Sequence, residues 1–88
     1  MGKYAEYAGM TIQLRATPTG RYGVDLFDGD KCVASSGGEH AMEERAAKDR
    51  AIELVKQYRK LKPGPEPESG FEWKALPASL LRKCFEHQ

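Results

Sequence analysis

The hydrophobic and polar positions of the first 40 residues alternate in three short stretches, a pattern typical of strands that bury one face. These stretches cover residues 11–17, 22–27 and 31–35. Turn-forming sequences separate them, Pro18-Thr19-Gly20 before the second stretch and Asp28-Gly29-Asp30 before the third. An Asp-Gly pair between two apolar runs is a typical hairpin signal, so we predict an antiparallel three-stranded meander. Residues 4–8 could add a fourth strand or remain a tail.

The apolar positions change to a helical period between His40 and Leu61. They fall within a sector about 120° wide, the width of a stripe that faces a core. The residues of this stripe are Ala47, Ala51, Leu54, Val55, Tyr58 and Leu61. Acidic residues lie near the predicted start of the helix and basic residues near its end, as the helix dipole favours. We predict that this helix covers one face of the meander.

The last third of the chain begins with a Pro-rich linker over residues 62–70, in which alternating prolines favour an extended, semi-rigid conformation. Residues 71–73 resume the alternation and could form an edge strand or an extended arm. An exposed edge there would allow a homodimer to form by strand addition. Pro77 suits the first turn of a short last helix. Its apolar side would contain Leu80, Leu81, Cys84 and Phe85.

The predicted fold class is therefore α+β, a three- or four-stranded antiparallel β-meander covered by one long helix, with a short C-terminal helix after the linker. We divide the chain into a meander-plus-helix domain over residues 1–61, the linker over 62–70 and a C-terminal segment over 71–88 that packs on the same domain. With 88 residues the chain is long enough for one small core.

The composition excludes several classes of protein. Hydrophobic residues make up 40% of the chain and charged residues 31%, which suits a globular domain and not a disordered one. No apolar run approaches the ~20 residues of a membrane-spanning helix. The first residues have the features of neither a signal peptide nor a transit peptide. With only Cys32 and Cys84, the chain is not a disulfide scaffold, and a reducing cytoplasm is the expected location.

Residues that could carry catalysis or hold a metal are sparse. Paired carboxylates on the predicted hairpin, Asp25, Asp28 and Asp30, are explained by turn geometry. Two cysteines and two histidines could supply the four ligands of a tetrahedral zinc ion. They are Cys32, His40, Cys84 and His87. Their spacing contains no Cys-x2-Cys pair, and a finger-type site is not expected. We predict no enzyme activity, no metal and no cofactor.

Basic charge is concentrated in residues 41–62, which contain seven basic and four acidic side chains. Five residues there share a sector about 80° wide on the outer face of the predicted helix, namely Arg45, Lys48, Ile52, Lys56 and Arg59. A basic ring around an apolar residue suits docking to an acidic protein surface or a nucleic-acid backbone. The alternative is a solvated face with Ile52 at the core margin. Phe71 and Trp73 form a second candidate contact, unless they fold back to complete the core.

The chain resembles the small HicB-type antitoxins in three places. These are residues 20–24, the strand that continues to Ala34, and Met42-Glu43-Glu44-Arg45-Ala46-Ala47. That resemblance implies a three-stranded sheet, a helix and a toxin as the protein partner. Residues 24–54 are similar to the second half of a double-stranded-RNA-binding domain. In that family basic residues at the start of the last helix contact phosphates, whereas Glu43 and Glu44 stand there in this chain. Nucleic acid is therefore the less favoured partner.

The strand over residues 22–26, the Asp28-Gly29-Asp30 turn and the Ala-rich helix start at Ala46-Ala47 resemble small anti-CRISPR proteins of phages and mobile elements. This resemblance implies an inhibitor that blocks a bacterial defence complex sterically and has no active site. We therefore predict a non-catalytic protein-binding module. Its predicted contact residues are Arg45, Lys48, Ile52, Lys56, Arg59, Phe71 and Trp73.

Overall fold

Five strands form one antiparallel sheet, and one helix packs on one of its faces. The computed structural model describes residues 2–36, 41–62, 64 and 70–82. In chain order the elements are β1 (Gly2–Tyr7), β2 (Met10–Ala16), β3 (Tyr22–Asp28), β4 (Lys31–Ser35), α1 (Glu44–Leu61) and β5 (Lys74–Leu76), followed by a 3-10 turn (Ala78–Leu80). The strand order across the sheet is β4-β3-β2-β1-β5. The predicted α+β class and the predicted meander are confirmed.

Tight turns join the first four strands. Residues 2–7 form a full strand, so of the two alternatives for this segment the fourth strand is the correct one. The β1–β2 turn places Ala8 at φ 50° and Gly9 at φ 82°, a left-handed pair that matches the twist of a hairpin. The predicted Asp-Gly hairpin joins β3 to β4, with Gly29 at φ 64°.

The core lies between α1 and the face of the sheet that carries the apolar positions of the alternation. Ile12, Leu14, Val24 and Leu26 are fully buried there, and they pack with Ala47, Ala51 and Val55 of the helix. A short antiparallel bridge between Tyr22 and Met42 fixes the chain just before the helix begins. Leu61 is 85% exposed, so its assignment to the core-facing stripe is wrong. It is the last residue of α1 and lies beyond the part of the helix that covers the sheet.

The segment after the linker returns to the sheet and adds its fifth strand. Residues 71–73 are an extended arm and not a strand, and β5 begins at the next residue and pairs with β1. The described residues beyond β5 contain only the 3-10 turn, followed by Leu81, which is 42% exposed. The short C-terminal helix is not shown by residues 77–82, and Cys84 and Phe85 lie outside the described residues.

None of the helices in the described part of the chain has the length and apolar character needed to cross a membrane.

Candidate functional site

Four of the predicted contact residues share one flank of α1. Ile52 is half-buried near the middle of the helix, and Lys48 and Lys56 lie four residues before and after it, the spacing at which helical side chains are neighbours. Arg45 lies further toward the start of the helix. Both Arg45 and Lys56 are exposed. This flank therefore carries basic side chains on both sides of an apolar one.

Lys48 and Lys3 of β1 both pair with the carboxylate of Glu44. Lys48 Nζ lies 3.0 Å from the Glu44 Oε2 atom, and Lys3 Nζ donates to the same oxygen from 2.5 Å. The hydrogen bonds from Lys3 and then from Lys48 hold the pKa of Glu44 below its ordinary value, and the bond to Glu44 raises the pKa of Lys3. Arg45 and Lys56 form no such ion pair with any residue that the structure describes. They are therefore the two cations on this flank that are best placed to meet a partner.

The fifth helix residue of the predicted contact, Arg59, is directed into the protein. It is 9% exposed, and its Nη2 atom donates to the carbonyl oxygen of Ala8 at 3.4 Å. The chain also passes close to its guanidinium, since a Cβ atom added to Gly64 would lie 2.5 Å from Arg59 Nη1. We therefore leave Arg59 out of the candidate site.

Phe71 and Trp73 lie in an aromatic row that begins on β1. The Tyr7 and Phe71 rings are 5.6 Å apart between centroids, and the Phe71 and Trp73 rings are 5.8 Å apart, both in edge-to-face geometry. All three side chains are half-buried and pack against the core. The alternative in which Phe71 and Trp73 fold back onto the core is therefore what the structure shows, although each retains some exposed surface.

The aromatic row and the basic flank of α1 are neighbours. Gly70, directly before Phe71, lies beside Ile52, because a Cβ atom on Gly70 would be 3.7 Å from Ile52 Cδ1. Two contacts that the sequence predicted separately thus lie on the same side of the sheet and next to each other. We call this surface the basic–aromatic face, and it consists of Arg45, Lys48, Ile52, Lys56, Phe71 and Trp73.

The other face of the sheet carries a buried polar cluster around Asp25. The Asp25 carboxylate is fully buried and accepts hydrogen bonds from Gln13 Nε2 at 2.9 Å and from Ser35 Oγ at 2.6 Å. Arg15 adds two bonds, from Nε at 3.1 Å and from Nη2 at 3.2 Å. A buried charge is tolerated only with such partners. With both oxygens hydrogen-bonded in this way, Asp25 stabilises the sheet.

The chain after β5 covers this polar cluster. Arg82 bonds to the Gln13 side chain twice through its backbone, its carbonyl oxygen accepting at 2.7 Å and its N–H donating at 3.0 Å. The Arg82 guanidinium lies 4.1 Å from the centre of the Phe27 ring and donates to the carbonyl oxygen of Gly29. The helix-free face is therefore partly covered by residues 76–82.

A third surface lies between α1 and β4. A depression of about 140 Å³ is lined by Val33, Ala34, Leu54, Gln57, Tyr58 and the exposed Leu61. At one end, Asp28 accepts hydrogen bonds from Lys62 Nζ at 2.8 Å and from the Tyr58 hydroxyl at 2.6 Å. The bonds from Lys62 and then Tyr58 lower the pKa of Asp28, and the same contacts raise the pKa of Lys62 and of Tyr58. This network ties the end of the helix to the β3–β4 hairpin.

Cys32 on β4 is disulfide-bonded. The only other cysteine in the sequence is Cys84, which lies outside the described residues. Of the four residues weighed as zinc ligands, only Cys32 is among those that the structure describes. Within that part of the chain, no three His, Cys, Asp or Glu side chains are grouped as a metal site.

Sequence reasoning did not identify Gln13 and Arg82, which join the C-terminal segment to the sheet. Gln13 occupies a polar position of the alternation, and such positions normally face water. The signal that could have indicated a cover on the helix-free face is the apolar character of Leu76 and Leu80, which both lie there. Period-2 alternation alone cannot reveal that a segment 69 residues further along the chain will cover this face.

Comparison of the chain with protein-family models, with curated proteins and with solved structures finds no match.

Proposed function

We propose that the protein is a non-catalytic protein-binding module whose basic–aromatic face binds an acidic surface of a protein partner. The observation that carries this proposal is the adjacency of Ile52 and Gly70, which places the basic flank of α1 beside Phe71 and Trp73. Aromatic side chains that keep some exposed surface are typical binding anchors. Cations around them would steer an acidic partner and raise the rate of association.

The finer proposal is an inhibitor carried by a phage or mobile element, which acts in the bacterial cytoplasm and blocks a defence complex such as a CRISPR effector by occupying its surface. Its support is the architectural resemblance of the meander, the Asp28-Gly29-Asp30 turn and the Ala-rich helix start to small anti-CRISPR proteins. The alternative is a HicB-like antitoxin that neutralises a toxin. Both are protein-binding modules, and the identity of the partner separates them.

The test is recovery of a partner from bacterial lysate by the tagged protein, with and without nuclease, followed by binding measurements with the purified partner. We expect a stoichiometric protein that survives nuclease treatment. The double variant Arg45→Glu/Lys56→Glu should then weaken its binding at least about tenfold at low salt, because both substitutions place like charge against the acidic partner.

The matched control is Arg21→Glu/Lys31→Glu, which reverses the same number of exposed charges elsewhere on the molecule. It should leave the affinity within about twofold of the unmodified protein. Equal effects of the two double variants would show that only net charge matters and would remove the basic–aromatic face as the contact. Recovery that requires RNA or DNA would instead support the nucleic-acid alternative.

A further inference from the structure

A small pocket lies on the helix-free face of the sheet, on the opposite side from the basic–aromatic face. It is bounded by β1 and β2 and by the chain that crosses them after β5. Its volume is about 160 Å³, close to that of the roughly 150 Å³ cavity known to hold benzene. The pocket can therefore hold a molecule of about the size of a substituted benzene.

The walls of the pocket combine an apolar side with polar groups. The apolar side is formed by Leu76 and Leu80, and the polar groups belong to Tyr4, Glu6, Thr11 and Gln13. This composition, mainly apolar with a few convergent polar atoms, is typical of sites for small organic ligands. The polar atoms therefore decide which class of ligand fits.

The open polar groups of the lining are the Glu6 carboxylate, which can only accept hydrogen bonds, and the Tyr4 and Thr11 hydroxyl groups, which can donate or accept. Both N–H groups of the Gln13 amide are occupied, one by Asp25 Oδ2 at 2.9 Å and the other by the carbonyl oxygen of Arg82 at 2.7 Å. The carboxylate of Glu6 forms no hydrogen bond or ion pair with another residue that the structure describes, although it is the one acidic group in the lining. Among the described residues of the lining, the one basic side chain is that of Arg82.

The basic residue of the lining, Arg82, is occupied at the other side of the site. Its guanidinium lies over Phe27, 4.1 Å from the ring centre, and its Nη1 atom donates to the carbonyl oxygen of Gly29 at 3.0 Å. Arg82 is not within ion-pair distance of Glu6. Arg82 therefore lines the pocket without pairing with the Glu6 carboxylate, which is left to a ligand.

We propose that this pocket binds a small primary amine with an apolar body. The ammonium group pairs with the Glu6 carboxylate, and the apolar body packs against Leu76 and Leu80. Charge-assisted hydrogen bonds to a carboxylate are stronger than those between neutral groups, so the amine is distinguished from a neutral alcohol of the same shape. This inference is independent of the proposed protein-binding function, because the two sites lie on opposite faces of the sheet.

The experiment is a titration of the full chain with benzylamine, followed by two-dimensional amide NMR, with benzyl alcohol and benzoate as comparison ligands. We expect saturable shifts at Leu76, Leu80 and Glu6, with an affinity of about millimolar for so small a ligand. The substitution Glu6→Gln should weaken benzylamine binding at least about tenfold and leave the weak binding of benzyl alcohol unchanged. Glu72→Gln, which alters an exposed glutamate outside the lining, is the matched control and should have no effect.

Four outcomes would overturn the proposal. Benzyl alcohol could bind as tightly as benzylamine, Glu6→Gln could leave the amine affinity unchanged, or the shifts could occur away from Leu76 and Leu80. Preferential binding of benzoate would also overturn it, since this would assign the site to the Arg82 guanidinium. Because Glu6 is exposed and glutamine preserves its shape, the Glu6→Gln spectrum should otherwise match that of the unmodified protein.

Discussion

Asp25 shows at the scale of one residue how a polar position can belong to the interior. Its carboxylate is enclosed by Gln13, Arg15 and Ser35, and removal of the carboxylate would leave the partly buried Arg15 guanidinium without its counter-ion. We expect Asp25→Ala to lower the free energy of unfolding by about 3–5 kcal/mol, as for other broken buried pairs. Urea unfolding followed by circular dichroism measures this loss.

Ser35→Ala serves as the control for the Asp25 substitution, since it removes one neutral donor and keeps the ion pair. Its expected effect is smaller, about 1.5 kcal/mol. If Asp25→Ala cost less than about 1 kcal/mol, the cluster would be no more important than an exposed ion pair.

The sequence assigned Asp25, Asp28 and Asp30 to turn geometry, and only the last two lie at the end of β3 and in its turn. The distinction could not be made from the sequence, because Asp25 becomes buried only when β4 supplies Ser35 and the chain after β5 supplies the cover. Residue types within one strand do not report what will pack over them. Of the candidate site, the sequence predicted the helix flank and the aromatic pair, whereas the inward direction of Arg59 depends on the β1–β2 turn.

Asp28 provides a prediction on pH dependence at the same scale. Its pKa is lowered in the folded state by the hydrogen bonds from Lys62 and Tyr58. A carboxyl group with a lowered folded-state pKa stabilises the fold above its ordinary value of about 3.9, and this contribution is lost as the pH falls through the lowered pKa. We expect Lys62→Met and Tyr58→Phe each to raise the pKa of Asp28, measured by carboxyl-carbon NMR titration. Lys60→Met is the control, and an equal shift with this variant would exclude a specific network.

At the scale of the element, α1 lies close to the sheet because small residues form the centre of its buried face. Ala47 and Ala51 are fully buried, whereas Ala46 on another side of the helix is exposed. We expect Ala51→Leu to destabilise the protein by about 1–3 kcal/mol through overpacking. Ala46→Leu introduces the same side chain with a similar helix propensity and should change the stability by no more than about 0.5 kcal/mol. Chemical denaturation of the two variants compares them directly, and equal effects would contradict the close contact at Ala51.

The elements that could be predicted from the sequence are those with a local pattern. The strict alternation of residues 11–17 and the turn at Asp28-Gly29 specify their strands without reference to the rest of the chain. β5 has only three residues, too few for a period to emerge, and its position is set by pairing with β1. The alternation of residues 71–73 arises from two aromatic side chains that complete the core beside α1, and this packing is not a property of the segment itself.

At the scale of the whole molecule, Cys32 forms a disulfide, which is not expected for a protein of the reducing cytoplasm. Disulfides persist in oxidising compartments and are rare in the cytosol, so the oxidation state of Cys32 in cells tests the cytoplasmic location directly. We expect reduction to lower the stability by about 2–4 kcal/mol, measured as a shift of the thermal unfolding transition with added reductant. The Cys32→Ser variant should start at the lower stability and show no response to reductant. If added reductant did not shift the unfolding transition of the unmodified protein either, a stabilising disulfide would be excluded.

The pairing of β1 with β5 has a consequence for the order in which the chain folds. Strands β1 to β4 follow one another through turns of two to five residues, so their contacts close small loops that form quickly. The pairing of β5 with β1 places Leu76 opposite Gly2, so the loop that it closes contains nearly the whole chain. The hairpins should therefore form first, and the segment from β5 to Arg82 should dock last. In native-state hydrogen exchange the Arg82 amide, which donates to Gln13, should open at a lower free energy than the amides of β2 and β3.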